Sequence, residues 1–144
     1  MNVTNEMHLK FPSKSTNESF ARSAVAAFVL ELDPTITELA DIKTAVSEAV
    51  TNAIVHGYRR ESGMIYIDVK LTDDRDVIIK IRDKGIGIED INQAMQPLFT
   101  TAEGEERAGL GFAVMQSFMD SVRVNSKPEK GTSVTLSKRI VALK

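Results

Sequence analysis

Glu48 and Asn52 stand four residues apart in the run Ser47-Glu48-Ala49-Val50-Thr51-Asn52-Ala53. On a helix that spacing places them one above the other on a single face. The apolar residues around them, Leu39, Ile42, Val46, Ala49, Val50, Ala53 and Ile54, form one stripe, and Glu48 projects almost directly away from it. A lone Glu/Asn pair so placed is most often a solvated polar face. The other reading is a helix whose second face lines a ligand cleft. In such a cleft Glu48 is a proton acceptor, and Asn52 offers a neutral amide oxygen to magnesium.

Two further stretches carry chemistry. In Asp83-Lys84-Gly85-Ile86-Gly87-Ile88, the alternation of Val77, Ile79 and Ile81 sets Asp83 on the buried face of a strand. An unpaired carboxylate there is costly, so it needs a partner. Glycines at 85 and 87 let the backbone turn tightly or approach a ligand, and a carboxylate can accept from an exocyclic amine such as that of adenine. In Gly109-Leu110-Gly111-Phe112, glycines open a helix whose free N–H groups and positive dipole end suit a phosphate. The plainer reading is a helix that starts at a tight packing point. No G-x-x-x-x-G-K-[ST] occurs, neither glycine pair has a Rossmann third glycine, and G-x-S-x-G and metalloprotease histidine spacings are absent.

The elements that must hold these groups follow from periodicity. Met7, Leu9 and Phe11 alternate as a short strand ended by Pro12, with His8 on its outer side. Ser15-x-x-Glu18 is a capping-box pattern opening a helix with Phe20, Ala24, Ala27, Phe28 and Leu32 as its buried stripe and Arg22 off it. Asp33-Pro34 breaks that helix. Thr35-x-x-Glu38 caps the long helix, which runs to His56 and stops at Gly57. His56 then suits the last carbonyls of the helix. Ile65 to Leu71 and Val77 to Ile81 pair as an antiparallel hairpin around the polar turn Asp73-Asp74-Arg75-Asp76. Glu89 to Met95 reads as a short helix ended by Pro97-Leu98-Phe99-Thr100-Thr101, and Ala102 to Ala108 as a charged loop. The helix after Gly109 buries Leu110, Ala113, Val114 and Phe118. Strands at Val122/Val124 and Val134/Leu136 close the chain, and Ile140 to Lys144 are expected to fray.

Composition narrows the class. With 144 residues, 42% hydrophobic and 26% charged, the chain can bury a core without staples. A net charge of -2 with interspersed signs gives no basic stripe, so no nucleic-acid surface is expected. Cysteine is absent, which excludes disulfides and thiol catalysis and leaves only His8 and His56 as soft metal ligands. No signal peptide is visible, and no apolar run approaches the roughly 18 residues of a membrane span. A soluble, cytoplasmic protein without membrane contact is expected.

In their order along the chain, these stretches resemble the ATP-binding domain shared by histidine kinases, type II topoisomerases, mismatch-repair ATPases and heat-shock chaperones (the GHKL, or Bergerat, superfamily). The resemblance covers nearly the whole chain. It implies one domain over residues 1–144 with an α/β (α+β) sandwich, a mixed, mostly antiparallel sheet with helices on one face. Ser47 to Ala53 followed by His56-Gly57-Tyr58 is similar to the anti-sigma-factor serine kinases. So are Met7-His8-Leu9, Glu18-Ser19-Phe20-Ala21-Arg22, Pro97 to Thr101 and Phe118-Met119-Asp120. Together they resemble the anti-sigma F family of sporulation.

That resemblance implies ATP and Mg2+ as cofactors, with ADP as product, and transfer of the γ-phosphoryl group to a serine of an anti-anti-sigma protein. It also implies that the chain holds sigma F inactive as a homodimer. Glu48 becomes the general base and Asn52 the magnesium ligand. Asp83 reads adenine, with Gly85, Gly87 and Thr132 supporting the base site. Gly109, Leu110, Gly111 and Phe112 cradle phosphates through their N–H groups, and Thr100, Thr101 and Arg107 belong to a closing lid. Arg22 matches a position that contacts both the sigma factor and the anti-anti-sigma protein. The lid departs from the family pattern, with Ala102 to Glu105 where a lysine is expected and Ala108 where a serine is usual. The alternatives are a general stress anti-sigma B kinase, a nucleotide-responsive sigma-binding module without transfer, and an ATPase without a protein acceptor.

Overall fold

Five segments that alternate apolar and polar residues pair into one sheet. In the computed structural model, which describes residues 2–58, 62–86 and 107–141 (backbone alone at 107–110), they are β1 (Val3–Pro12), β2 (Met64–Thr72), β3 (Asp76–Asp83), β4 (Ser121–Lys127) and β5 (Gly131–Arg139). Their spatial order is β1-β2-β3-β5-β4, and every pairing among the described residues is antiparallel. Ile65, Ile67, Val69 and Leu71 of β2, Val77, Ile79 and Ile81 of β3, and Val134 and Leu136 of β5 face one side and are buried. Each such side chain contributes about 1.5–3 kcal/mol relative to exposure.

Helices cover that face. They are α1 (Thr16–Val29), extended by a 3₁₀ turn at Leu30–Leu32, then α2 (Ile36–Asn52), extended by a π turn at Ala53–Gly57, and α3 (Arg107–Phe118). The central helix α2 packs against both α1 and α3. It starts where Thr35 and Glu38 form both arms of a capping box, at 2.9 and 3.0 Å. The second carboxylate oxygen of Glu38 accepts the N–H of Val141 at 2.9 Å. The hairpin of β2 and β3, and the apolar stripe of α2 from Ile42 to Ile54, are as the periodicity predicts.

Four expectations are corrected. β1 begins at Val3, four residues before Met7, with an irregular register between Val3 and Asn5. Ser15 precedes α1 but makes no side-chain cap, because its backbone is already helical (φ -59°, ψ -30°) rather than extended; the Glu18 carboxylate pairs with Arg22 at 3.2 Å. The buried stripe of α1 is Ala21, Val25, Ala26 and Val29 leading to Leu32, while Phe20 is 55% exposed and Ala27 is also exposed. Small and β-branched side chains let α1 lie close to its neighbours, and the bulky Phe20 is turned out. On α3 the inward residues are Phe112, Met115 and Met119, whereas Phe118 reaches solvent.

Ile140 does not fray. It is 1% exposed, and its N–H donates to the Arg75 carbonyl at 2.8 Å. Arg75, in the left-handed region at φ 68°, returns the contact through Nε to the Ile140 carbonyl at 3.0 Å and also donates to the Leu32 carbonyl. One turn residue therefore ties the end of the sheet to the 3₁₀ turn. The short helix expected at Glu89 to Met95 and the stretch from Pro97 to Glu106 lie outside the described residues.

The two helix starts should respond differently to substitution. Thr35→Ala is expected to lower stability by about 1 kcal/mol, while Ser15→Ala stays within about 0.5 kcal/mol. Urea midpoints at unchanged m-value measure both.

Candidate functional site

The carboxylate expected to face inward from β3 does so: Asp83 is 9% exposed. Its partners are backbone groups. Oδ1 accepts the Gly85 N–H at 2.9 Å, and the Thr132 N–H also donates to the carboxylate. Burial raises the Asp83 pKa above its ordinary value, and those two backbone hydrogen bonds oppose the rise. Thr132 stands opposite Asp83 on β5, with its hydroxyl 2.8 Å from that of Ser126.

Glycines crowd this carboxylate. A Cβ on Gly57 would lie 2.8 Å from the Asp83 carboxyl group, and one on Gly85 only 1.9 Å from the Gly57 carbonyl oxygen. Gly131, at φ 106°, would meet the Asp83 carbonyl at 2.1 Å. No side chain fits at these contacts, and the positive φ of Gly131 further favours glycine. Gly57 reaches Asp83 because the end of α2 widens into a π turn, closed by the Tyr58 N–H on the Ala53 carbonyl at 2.9 Å. Such turns recur at functional sites. The Gly57 carbonyl accepts the Ile86 N–H at 2.8 Å, and the Tyr58 hydroxyl accepts the Lys84 N–H at 2.7 Å while donating to Met64 at 2.6 Å. His56, expected to serve the helix end, lies within this turn, half-buried.

Five residues before Gly57, Asn52 meets α3. A Cβ on Gly111 would stand 2.8 Å from its amide nitrogen, so a larger residue there would displace the Asn52 side chain. Asn52 Nδ2 is buried and finds no acceptor among the described residues. A buried N–H donor left unpaired costs about 1–3 kcal/mol; what it lacks is an acceptor such as a phosphate oxygen, whereas the amide oxygen is the atom that could meet a cation. Both glycines of Gly109-x-Gly111 lie inside α3 rather than before it. Gly111 and Phe112 fall beyond its first four positions, where N–H groups are spent on helical bonds. Of the described residues of this helix, 107–110 keep N–H groups outside the helical ladder, Gly109 and Leu110 among them. Phe112 is a core side chain, 5% exposed.

One turn before Asn52, Glu48 is 7% exposed. It lies off the apolar stripe and is nonetheless buried rather than on a solvated face. Glu48 lines a cavity of about 650 Å³ between α1 and α2, with Glu18, Arg22, Lys43, Thr44, Ser47 and Thr51 among its walls. At its rim Ser47 donates to the Glu18 carboxylate and accepts from Arg22 Nη1 at 3.2 Å. Gly87, Thr100 and Thr101 lie outside the described residues, and of Arg107 only the backbone is described. The sequence reading missed Gly57, Tyr58, Gly131, Lys43 and Ser47. Only Gly57 and Gly131 carried a signal, as glycines closing a helix and a turn.

Residues 11–138 match the family described as histidine kinase-like ATPase domain. The chain is 59% identical over 140 residues to an anti-sigma F factor of Thermoanaerobacter sp. (strain X514), covering 97% of each. It is 55% identical over 139 residues to the anti-sigma F factor of Bacillus subtilis, covering 96% of this chain and 94% of that one. The chain belongs to the anti-sigma F factor family. Its fold is that of the family's wider class. The RsbU and RsbW domains of a Mycobacterium tuberculosis protein superpose with a TM-score of 0.70 at 22% identity, over 95% of this chain and 32% of that one. The catalytic domain of the histidine kinase ThkA gives 0.58 at 15% identity, over 93% and 96%. Among the described residues, no helix is long and apolar enough to cross a membrane.

Burial of Asp83 has a sign that can be measured. Its raised folded pKa means the folded state keeps a proton at pH values where an unfolded Asp has lost it. Stability is therefore lost as pH rises from the ordinary value of 3.8 through the raised one. Asp83→Asn removes this dependence. The stability of the wild type relative to the variant should fall across that window and level off above it. Urea unfolding of both proteins at stepped pH would show parallel curves if Asp83 titrated normally.

Proposed function

We propose that the protein is an anti-sigma factor with protein-serine kinase activity. In this reading it binds Mg-ATP, phosphorylates an anti-anti-sigma protein on a serine, and holds sigma F inactive as a homodimer. The observation that carries it is the placement of Glu48 and Asn52 on one turn-spaced row of α2. Glu48 lines a cavity beside α1, and Asn52 approaches Gly111 of α3 with an amide N–H that finds no acceptor among the described residues. Homologues of near-equal length named anti-sigma F factor support the choice of partner class.

The groups divide the work along one helix. Asp83 accepts a hydrogen bond from the adenine amine, and Gly57, Gly85 and Gly131 keep side chains out of its way. From Glu48 to Gly57 the helix rises about 13 Å at 1.5 Å per residue, a span that separates base recognition from phosphoryl chemistry. Asn52, through its amide oxygen, would hold a magnesium ion, which neutralises phosphate charge when bound. The N–H groups at the start of α3 would face the phosphates, with Thr100, Thr101 and Arg107 as lid contacts.

The acceptor serine hydroxyl forms the new bond to the γ-phosphorus as the bond to the bridging oxygen of ADP breaks. Its proton passes to Glu48. A carboxylate titrates near 4.3, far below a serine hydroxyl, so Glu48 does not deprotonate the ground state. It orients the hydroxyl and takes the proton late, which a loose phosphoryl-transfer transition state permits.

Single-turnover transfer of labelled phosphate from ATP to a purified anti-anti-sigma protein tests this. Glu48→Gln is expected to bind ATP as the wild type does while losing about 100-fold or more of transfer. Label on a histidine of this chain, or equal turnover by the variant, would sink the reading.

Arg22 sits at the rim of the same cavity, 36% exposed at its side chain and braced by Glu18 and Ser47. Arg22→Glu is expected to weaken binding of both sigma F and the anti-anti-sigma protein without changing ATP affinity. Titration calorimetry with each partner reads this directly, and unchanged affinity for either would refute a shared surface.

A further inference from the structure

The floor of the cavity is made by two rows of α2. Ala40, Thr44 and Glu48 form one, and Lys43, Ser47 and Thr51 the other. Apart from Ala40 these side chains are polar, and Thr44, Ser47 and Thr51 offer hydroxyls. The lining carries two acids, Glu18 and Glu48, and two bases, Arg22 and Lys43. Arg22 and Glu18 pair with each other and with Ser47. Lys43 faces the same cavity and makes no ion pair or hydrogen bond among the described residues.

Lys43 lies five residues before Glu48, about 7.5 Å along the axis at 1.5 Å per residue. An extended chain covers that distance in two or three residues, at about 3.3 Å each. A peptide with its hydroxyl at Glu48 and its backbone along the threonine and serine hydroxyls would therefore bring a neighbouring side chain to Lys43.

We propose that Lys43 is a specificity-determining residue of the acceptor site. The groove between α1 and α2 receives an extended segment of the acceptor protein. Lys43 selects segments that carry a carboxylate two or three residues from the serine presented to Glu48. This assignment rests on the kinase reading given above and adds to it the charge pattern of the substrate. Glu48 is the cavity's remaining acidic group besides Glu18, and it contacts the reacting hydroxyl. The acceptor's own acid thus has Lys43 as its complement.

The test is steady-state transfer from ATP with Mg2+ to the anti-anti-sigma protein, using the full chain as wild type, Lys43→Ala and Lys43→Glu. Lys43→Ala should raise KM for the acceptor about fivefold, and Lys43→Glu more, with kcat and ATP affinity unchanged. Acceptor variants in which each Asp or Glu within three residues of the phosphorylated serine becomes Lys supply the second arm. One of them should be recovered by Lys43→Glu and not by the wild type. A wild-type KM in Lys43→Ala, or losses without recovery in the charge-swapped pair, would overturn the assignment. Absence of any transfer by the wild type would overturn the kinase reading itself, and the assignment with it.

Discussion

A carboxylate on the core side of a sheet must be surrounded by donors, and in this protein the donors are backbone. Asp83 draws N–H groups from Gly85 and Thr132, and Gly57 packs its bare Cα against the carboxyl group. Three chain segments far apart in sequence therefore meet at one side chain: the end of α2, the turn after β3 and the start of β5. Each must come closer than any Cβ permits. A cation in the same place would stabilise the carboxylate more strongly, but it would also occupy its remaining lone pairs. Backbone donors leave part of the acceptor capacity for a ligand.

That meeting point fixes the far end of α2, and the capping box at Thr35 fixes its near end. Between them the helix is buried on two sides. Ile42, Val46, Ala49 and Val50 pack into the core, while Glu48 is buried beside a cavity that α1 also lines and Asn52 closely approaches Gly111 of α3. Burying polar groups on a helix is unfavourable unless they are paired or poised for a partner. Here that cost falls on Asn52 Nδ2, which finds no acceptor among the described residues and lies at the seam with α3.

Period-two and period-3.6 patterns made most of this legible. β2, β3, the capping box of α2 and the inward Asp83 all follow from local alternation or spacing, because one solvent-free face decides each of them. What could not be read depended on how elements approach one another. The stripe of α1 was misjudged because Phe20, the most apolar candidate, was assigned inward, whereas close packing selects Ala21 and Val25. Ser15-x-x-Glu18 has the same pattern as Thr35-x-x-Glu38, but Ser15 is helical rather than extended, and Glu18 pairs with Arg22 one turn on and with Ser47 of α2. Gly57 and Gly131 looked like terminators, and their contact with Asp83 spans elements that no local window contains. Ile140 was assigned to a fraying tail because its anchor, Arg75, lies in a turn across the sheet.

Arg22 shows how recognition and chemistry can share one seam. Its guanidinium is held to α2 through Ser47, the residue next to Glu48, and to its own helix through Glu18. A guanidinium so restrained has already lost much of its rotamer freedom before any partner arrives, so less is lost on binding. The restraint also links surfaces. A partner that engages Arg22 competes with Glu18 and Ser47 for its N–H groups, and Ser47 is one helical step from Glu48. The Ser47 hydroxyl thereby ties the rim to the helix that carries Glu48. The bridge exists because α1 and α2 pack closely enough for one serine to reach both Arg22 and Glu18.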